Sequence, residues 1–324
     1  MEQQSMTRRG FFGKLGRYNE LGLFAVAIVI LVFFSIGSPY FFKVRNLSNV
    51  LGQISLTMIA AVGMSLLVIT GEVDLSVGSL QAVVALPLLV IMNRTGNFWL
   101  GVIPALVTGL VVGVINGLLV TRLKINSLIV TLGMYYLLRG LVYFLTGKVP
   151  ISDSSNDPSF FAIGNAKLFG VVPVMAILMI VILVVFWYVL SHTTYGRRLY
   201  AVGGNAEVSR AVGINPERLK FSAFVLCSLL SSVSAILLAS RLNSANHMAG
   251  QGFEFQVVAA VVMGGVSLAG GSGNLVGAFL GVLIFGLIQN GMGLMSIDTQ
   301  YQLVITGAII VAAVAIDELR RKRA

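Results

Sequence analysis

One cysteine, two histidines and only 10% charged residues stand in this 324-residue chain, and each shortage excludes something. A lone thiol, Cys227, set in an apolar stretch, rules out a disulfide framework and a thiolate metal cluster. His192 and His247 fall in loops that the topology argued below assigns to opposite sides of a membrane, so they share no metal or acid–base centre. No G-x-x-x-x-G-K-[ST] stretch occurs, so the chain has no phosphate loop with which to hydrolyse a nucleotide itself. The 12 acids read almost entirely as loop residues, which counts against the midplane carboxylates of ion-coupled carriers. The expectation is therefore a protein that is not an enzyme, with no catalytic residues, metal or cofactor of its own.

What the chain has in excess is apolar surface: 57% hydrophobic residues and a mean hydropathy of +0.93, well beyond an ordinary soluble domain. Crossing about 30 Å of hydrocarbon takes about 20 helical residues. Runs of roughly that length lie near 20–37, 48–70, 76–92, 99–121, 127–146, 170–190, 221–241, 257–269, 273–293 and 300–317. They lack the strict alternation of barrel strands, and only helices or closed barrels satisfy the backbone in lipid. This predicts an all-α polytopic membrane protein with about ten transmembrane helices.

Lysine and arginine set the orientation, because short cytoplasmic loops retain them. With both termini inside, four precede the first span, Arg122 and Lys124 follow the fourth, five lie between 191 and 220, and "RRKR" closes the chain. Both termini are thus expected in the cytoplasm, and the net charge of +10 is a topology signal rather than a nucleic-acid footprint. Residues 1–19 form a cytoplasmic segment, 20–317 a single transmembrane domain with a cytoplasmic loop at 191–220, and 318–324 a basic tail. Ser35-Ile36-Gly37 faintly imitates a signal-peptide cleavage site, but nine further spans favour an uncleaved first helix.

Glycine is plentiful, with 36 residues, many inside spans as in "GLVVGVING" (109–117) and "GGSGNLVGAFLGVLIFG" (270–286). Small residues let helix backbones approach closely in lipid. Two polar breaks interrupt the runs. In "GEVDLSVGS" (71–79), Asp74 can cap the following run through amides two or three residues on, a role asparagine would share. This is either a cap at the membrane surface or a discontinuous helix whose Asp74, Ser76 and Gly78 line a transport route. In the second break, Gly270, Gly271 and Gly273 accompany Ser272, and Asn274 can cap the next helix. A shift of 199 residues superposes seven identities in nineteen positions, including Gly71 on Gly270 and Gly78 on Gly277, a weak sign of an internal repeat.

Arg139 is the one charge within a span, too deep to snorkel, and must point into the bundle toward carbonyls or an acid, as anchor or as pathway lining. Gln53, Ser55, Thr57, Asn116, Thr131, Tyr135, Gln289 and Asn290 are neutral donors and acceptors that can line a passage or hydrogen-bond helix to helix.

The stretch "YAVGGNAEVSRAVGINPERLK" (200–220) is a polar insert with its own stop signals. Asn205 caps a helix of about two turns, Glu207 sits in its first turn, Gly213 supplies a left-handed end and Pro216 prevents continuation. So short a helix is marginal alone in water, and its few small apolar side chains fit a protein groove better than a lipid surface.

Together, "GEVDLSVGS", "RLKINSLIVTLGMYYLLRGL", "TTYGRRLYAVGGNAEVSRAVGIN" and "AAVVMGGVSLAGGSGNLVGAFLG" resemble the permease subunits of ABC importers for monosaccharides such as ribose, arabinose, galactose and xylose, over nearly the whole chain. The resemblance implies a ten-helix importer permease bundle with short broken helices, in the bacterial inner membrane, passing a neutral, ribose-like sugar inward. It implies that Gly204, Asn205, Ala206, Glu207, Arg210, Ala211 and Gly213 belong to a coupling helix that docks on a separate ATPase subunit, which holds ATP and Mg. It further implies a second permease copy or paralogue and a periplasmic sugar-binding protein. Two features depart from the family: Glu72 and Val73 stand where glycine and isoleucine are usual, and the coupling segment has less acid and alanine. An ion-coupled secondary carrier or facilitator for a small polar solute is the alternative.

Overall fold

All ten expected spans are helical. The computed structural model describes residues 3–323; Met1 and Glu2 of the segment 1–19 and Ala324 of the basic tail lie outside the described residues. The spans form α1 (Gln3–Gly37), α2 (Val44–Ile69), the pair α3 (Val77–Val83) and α4 (Ala85–Thr95), α5 (Phe98–Thr121) and α6 (Ser127–Thr146). Between α6 and the next span, β1 (Ile151–Ser152), α7 (Pro158–Asn165), β2 (Lys167–Leu168) and β3 (Val172–Pro173) occupy the loop, and α8 (Val174–His192) follows. The cytoplasmic insert holds α9 (Thr194–Gly204) and α10 (Ala206–Ala211), followed by α11 (Pro216–Leu242), β4 (Ser244–Ala245), α12 (Phe253–Met263), α13 (Leu275–Leu294) and α14 (Thr299–Arg323). Among the described residues eight stretches are long and apolar enough to cross a membrane, with α3 and α4 counting as one; Phe253–Met263 and Thr299–Ala315 are shorter apolar helices.

Burial sorts these helices into layers. In α2 89% of the most apolar window is buried, against 17% in α1 and 22% in α8. The central α2 is therefore surrounded by protein, while α1 and α8 turn their valines, leucines and phenylalanines outward to lipid. Helix α11 packs along both α5 and α2, and the α5 contact follows the glycine row. A Cβ on Gly109 would lie 1.7 Å from Ser232 Oγ, and one on Gly113 2.9 Å from Ser228 Cβ, so the backbones meet where the sequence places small residues.

Helices α1 and α14 run beyond the apolar stretches at 20–37 and 300–317, and two further spans and one loop differ from expectation. The eighth helix starts at Val174, because β2 and β3 form an antiparallel hairpin through Leu168 and Val172 where an apolar run was read. The span read at 257–269 is α12, which begins earlier and ends at Met263, so residues 264–274 are non-helical. Loop 147–169 carries unexpected order: Ser152 pairs with Ser244, and Asp157 caps α7 through the Ser159 amide.

Candidate functional site

The two polar breaks meet. Helix α2 stops at Thr70, Gly71 turns left-handed at φ +82°, and Gly270 after α12 does the same at φ +86°. Both breaks thus carry a left-handed glycine and a polar turn ahead of the next helix, although α12 ends at Met263, well before Gly270, where α2 runs to Ile69 beside Gly71. The Gly271 amide donates to the Ile69 carbonyl at 2.8 Å, joining one break to the other. Gly203, at the end of α9, fits between them: a Cβ there would lie 1.8 Å from the Ile69 oxygen and 2.4 Å from the Gly271 nitrogen. The Tyr200 hydroxyl donates to the Gly273 carbonyl at 2.8 Å, and burial pushes its pKa up, which keeps the donor protonated. Gly270, Gly271 and Gly273 therefore form a junction at the root of the segment that carries α10. Asn274 caps α13 through the Gly277 amide at 2.7 Å, as its position predicts.

From that root α10 projects outward. Asn205 Oδ1 accepts the amides of Glu207 and Val208, both at 3.0 Å. Gly213 is left-handed at φ +84°, its amide returning to Arg210 and that of Ile214 to Ser209. Gly204, Glu207, Arg210, Ala211 and Gly213 are exposed, Ala206 is half-buried, and Arg210 pairs with Glu217. Val208 and Val212 are 59% and 70% exposed, an apolar face presented to water.

The first break climbs from exposed Gly71 into the bundle, which favours the discontinuous-helix reading of Asp74 over a cap at the membrane surface. Asp74 is wholly buried. Its Oδ1 accepts the Ser76 amide at 2.8 Å and the Ser76 hydroxyl at 2.5 Å. Asn116 of α5 donates to both oxygens and Ser228 of α11 to Oδ2, each at 3.4 Å. Asn116 and Ser228 stand one to three turns inside the inner ends of their helices, which puts the carboxylate at membrane depth and makes α3 a half-helix starting inside the bundle.

A matching half-helix enters from the other side. After α11, residues 243–252 fold back into the bundle, with Gly250 at φ +71° and Gly252 at φ +78° directly before α12. Arg139 of α6 is 6% exposed and points inward as expected: Nη1 donates to the carbonyls of His247 at 2.7 Å and Ala249 at 2.9 Å, and Nη2 to that of Gly78 at 3.4 Å. Glu254, in the first turn of α12, is 3% exposed beside Gly78. Two acids, Asp74 and Glu254, thus lie inside the bundle where loop positions were expected. Glu254 is missing from the sequence reading because α12 begins at Phe253, ahead of the apolar run at 257–269; the pair Gly250 and Gly252 is the available signal.

Four of the eight neutral polar side chains serve the helices. Ser55, Thr57 and Thr131 donate to the carbonyls of Leu51, Gln53 and Ser127 one turn back, and Asn290 pairs with Asn46. Asn116 alone of that set joins the Asp74 cluster. Below this cluster opens a cavity of about 760 Å³, lined by Glu72, Val73, Leu75, Lys124, Arg210, Lys220 and Phe255, among others. Lys220 donates to Glu72 at 2.6 Å across its wall.

A family model described as branched-chain amino acid transport system / permease component matches residues 46–314. The chain belongs to this permease family. It is 36% identical over 323 residues to the ribose import permease protein RbsC of Escherichia coli K12, covering 99% of this chain and 100% of that protein. Similarity to RbsC of Bacillus subtilis is 38% over 323 residues, 100% of this chain and 98% of the relative. The L-arabinose transport system permease protein AraH of Escherichia coli K12 is 36% identical over 311 residues, 96% of this chain and 93% of the relative. No solved structure matches the chain. The permease is a multi-pass membrane protein, and its relatives are transport subunits rather than ATPases.

Proposed function

We propose that this permease conducts a neutral monosaccharide, ribose-like in size, from periplasm to cytoplasm in the bacterial inner membrane, as one subunit of an ABC importer. The observation that carries the reading is the junction at Gly203, Gly270 and Gly271, which seats the end of α9, from which the capped helix α10 continues, on both broken-helix turns. A push on α10 reaches the breaks through backbone contacts, with no flexible side chain between. ATP and Mg belong to the separate ATPase that α10 docks on, through Val208 and Val212 flanked by Glu207 and Arg210. The cavity beneath Asp74 is the inner half of the route, and a second copy or a paralogue closes it laterally. A periplasmic sugar-binding protein delivers the substrate from outside.

The charges fit a neutral cargo. The acids of the cavity wall, Glu72 and Glu217, are already paired with Lys220 and Arg210, and Arg139 and Asp74 are engaged by protein groups. A zwitterion would have to give up water around two charges beside groups that are already paired, whereas a sugar exchanges hydroxyl hydrogen bonds without stranding a charge. Uptake into liposomes holding the permease and ATPase tests this. Accumulation of labelled D-ribose should require external binding protein and internal ATP, and should survive collapse of proton and sodium gradients. Inhibition by excess branched-chain amino acid rather than by pentoses would assign the substrate implied by the family's description. Accumulation by the permease alone under an ion gradient would make Asp74 and Glu254 coupling groups of a secondary carrier.

A further inference from the structure

The half-helices α3 and α12 meet at their N-terminal turns inside the bundle, and one side chain holds the meeting point together. Non-helical backbone at membrane depth leaves carbonyls without partners. The outer segment 246–252 is such backbone, and Arg139 satisfies its His247 and Ala249 carbonyls while also reaching Gly78 on α3. A guanidinium can do this because its five donors spread over a rigid fork; an ammonium offers three from one point. The backbones touch as well. A Cβ on Gly250 would lie 2.2 Å from the Gly78 oxygen, and one on Gly78 1.8 Å from Glu254 Oε2. Arg139 Nε and Glu254 Oε2, both buried, have no hydrogen-bond partner among the described residues, so the cluster holds polar capacity beyond its present contacts. On either side of this point Met248 is 54% exposed and Phe255 47% exposed, Phe255 lining the inner cavity.

We propose that Arg139 is the positioning residue of the transmembrane gate: fixed on the unbroken helix α6, it ties the outer segment 246–252 to the first turn of α3, so that the outer and inner halves of the route move as one body. The inference rests on the permease reading for its transport consequence, though not for its geometry. With the tie intact, movement of the breaks by α10 is carried to the outer segment. Without it, the ATPase still docks and turns over, while the outer segment no longer follows.

The test uses the full complex of permease, ATPase and binding protein in liposomes, with labelled D-ribose as the probe. Arg139→Lys keeps the charge but loses the fork. Gly250→Ala leaves Arg139 intact and forces the outer segment off Gly78. Both should raise backbone hydrogen exchange by at least about tenfold within 246–252 and the first turn of α3, with α5 and α11 unchanged. Both should also lower sugar moved per ATP hydrolysed by about tenfold, a ratio that a loss of folded protein would not alter. Exchange rising evenly across the bundle, or an unchanged transport-to-hydrolysis ratio in assembled Arg139→Lys, overturns the proposal; if that variant does not assemble, Gly250→Ala decides alone. A wild-type complex that moves no ribose refutes the substrate assignment and leaves the exchange result to judge the tie.

Discussion

At Asp74 the sequence and the surroundings lead to opposite expectations. As a cap alone, asparagine would serve nearly as well as aspartate. The Ser76 amide and hydroxyl, the Asn116 amide and the Ser228 hydroxyl all donate to it, so the site wants an acceptor on both oxygens. Asp74→Asn turns an NH₂ group against donors and should cost about 1–3 kcal/mol of local stability, close to Asp74→Ala rather than to wild type. Thermal unfolding of the two purified variants checks this, and an asparagine variant as stable as wild type would restore the simple capping role. Asp157 makes a pH prediction at the outer surface. Its carboxylate accepts the Phe98 amide at 2.7 Å and the Ser159 amide at 2.8 Å, and these bonds hold its pKa below the usual carboxylate value. A depressed pKa means stabilisation present above about pH 4 and lost as pH falls through the folded-state value. The order of α7 should therefore decline in acid, read as faster proteolysis of 147–173, and Asp157→Ala should remove that acid dependence.

The long helices were legible because each carries its own signal: an apolar run of bilayer length needs no partner to be recognised. So was α10, whose Asn205 cap and Gly213 stop are local chemistry. Elements defined by contacts were not. Helix α9 is amphipathic but short and ends in two glycines, the strands β1 and β4 are two residues each, and the first turn of α12, which carries Glu254, lies ahead of the apolar run and is held by burial against Gly78. The Asp74 cluster could not be read either, since Ser228 is 154 residues away along the chain. A test of α10 as an element exploits the open space around Gly213, where an added side chain meets nothing within 4 Å. Gly213→Val is thus a pure backbone perturbation, penalising the left-handed stop by about 1–2 kcal/mol. It should weaken ATPase capture in detergent pull-downs and lower uptake together, while membrane insertion stays normal. Wild-type uptake with the ATPase still bound would show that α10 is not the docking helix.

Across the whole molecule, the inner junction separates docking from transmission, and that separation is measurable. Gly271 sits at φ +72° where a Cβ would lie 2.7 Å from both the nitrogen and the Cα of Gly204. Backbone cannot yield as a flexible side chain can, so Gly271→Ala must push the end of α9 away from the break or strain both. Neither movement touches the exposed face of α10, formed by Val208, Val212 and Glu207. The ATPase should therefore bind Gly271→Ala as it binds wild type, and hydrolysis should continue. What should fail is the response to cargo: sugar-loaded binding protein would no longer stimulate hydrolysis, and uptake would fall by about tenfold, equivalent to roughly 1.4 kcal/mol of lost coupling. Gly213→Val, by contrast, loses binding first. If Gly271→Ala retains stimulation and uptake within about twofold of wild type, the contact of α9 with the breaks is packing only, and force must reach the route along α11, which leaves the cytoplasmic insert directly at Pro216.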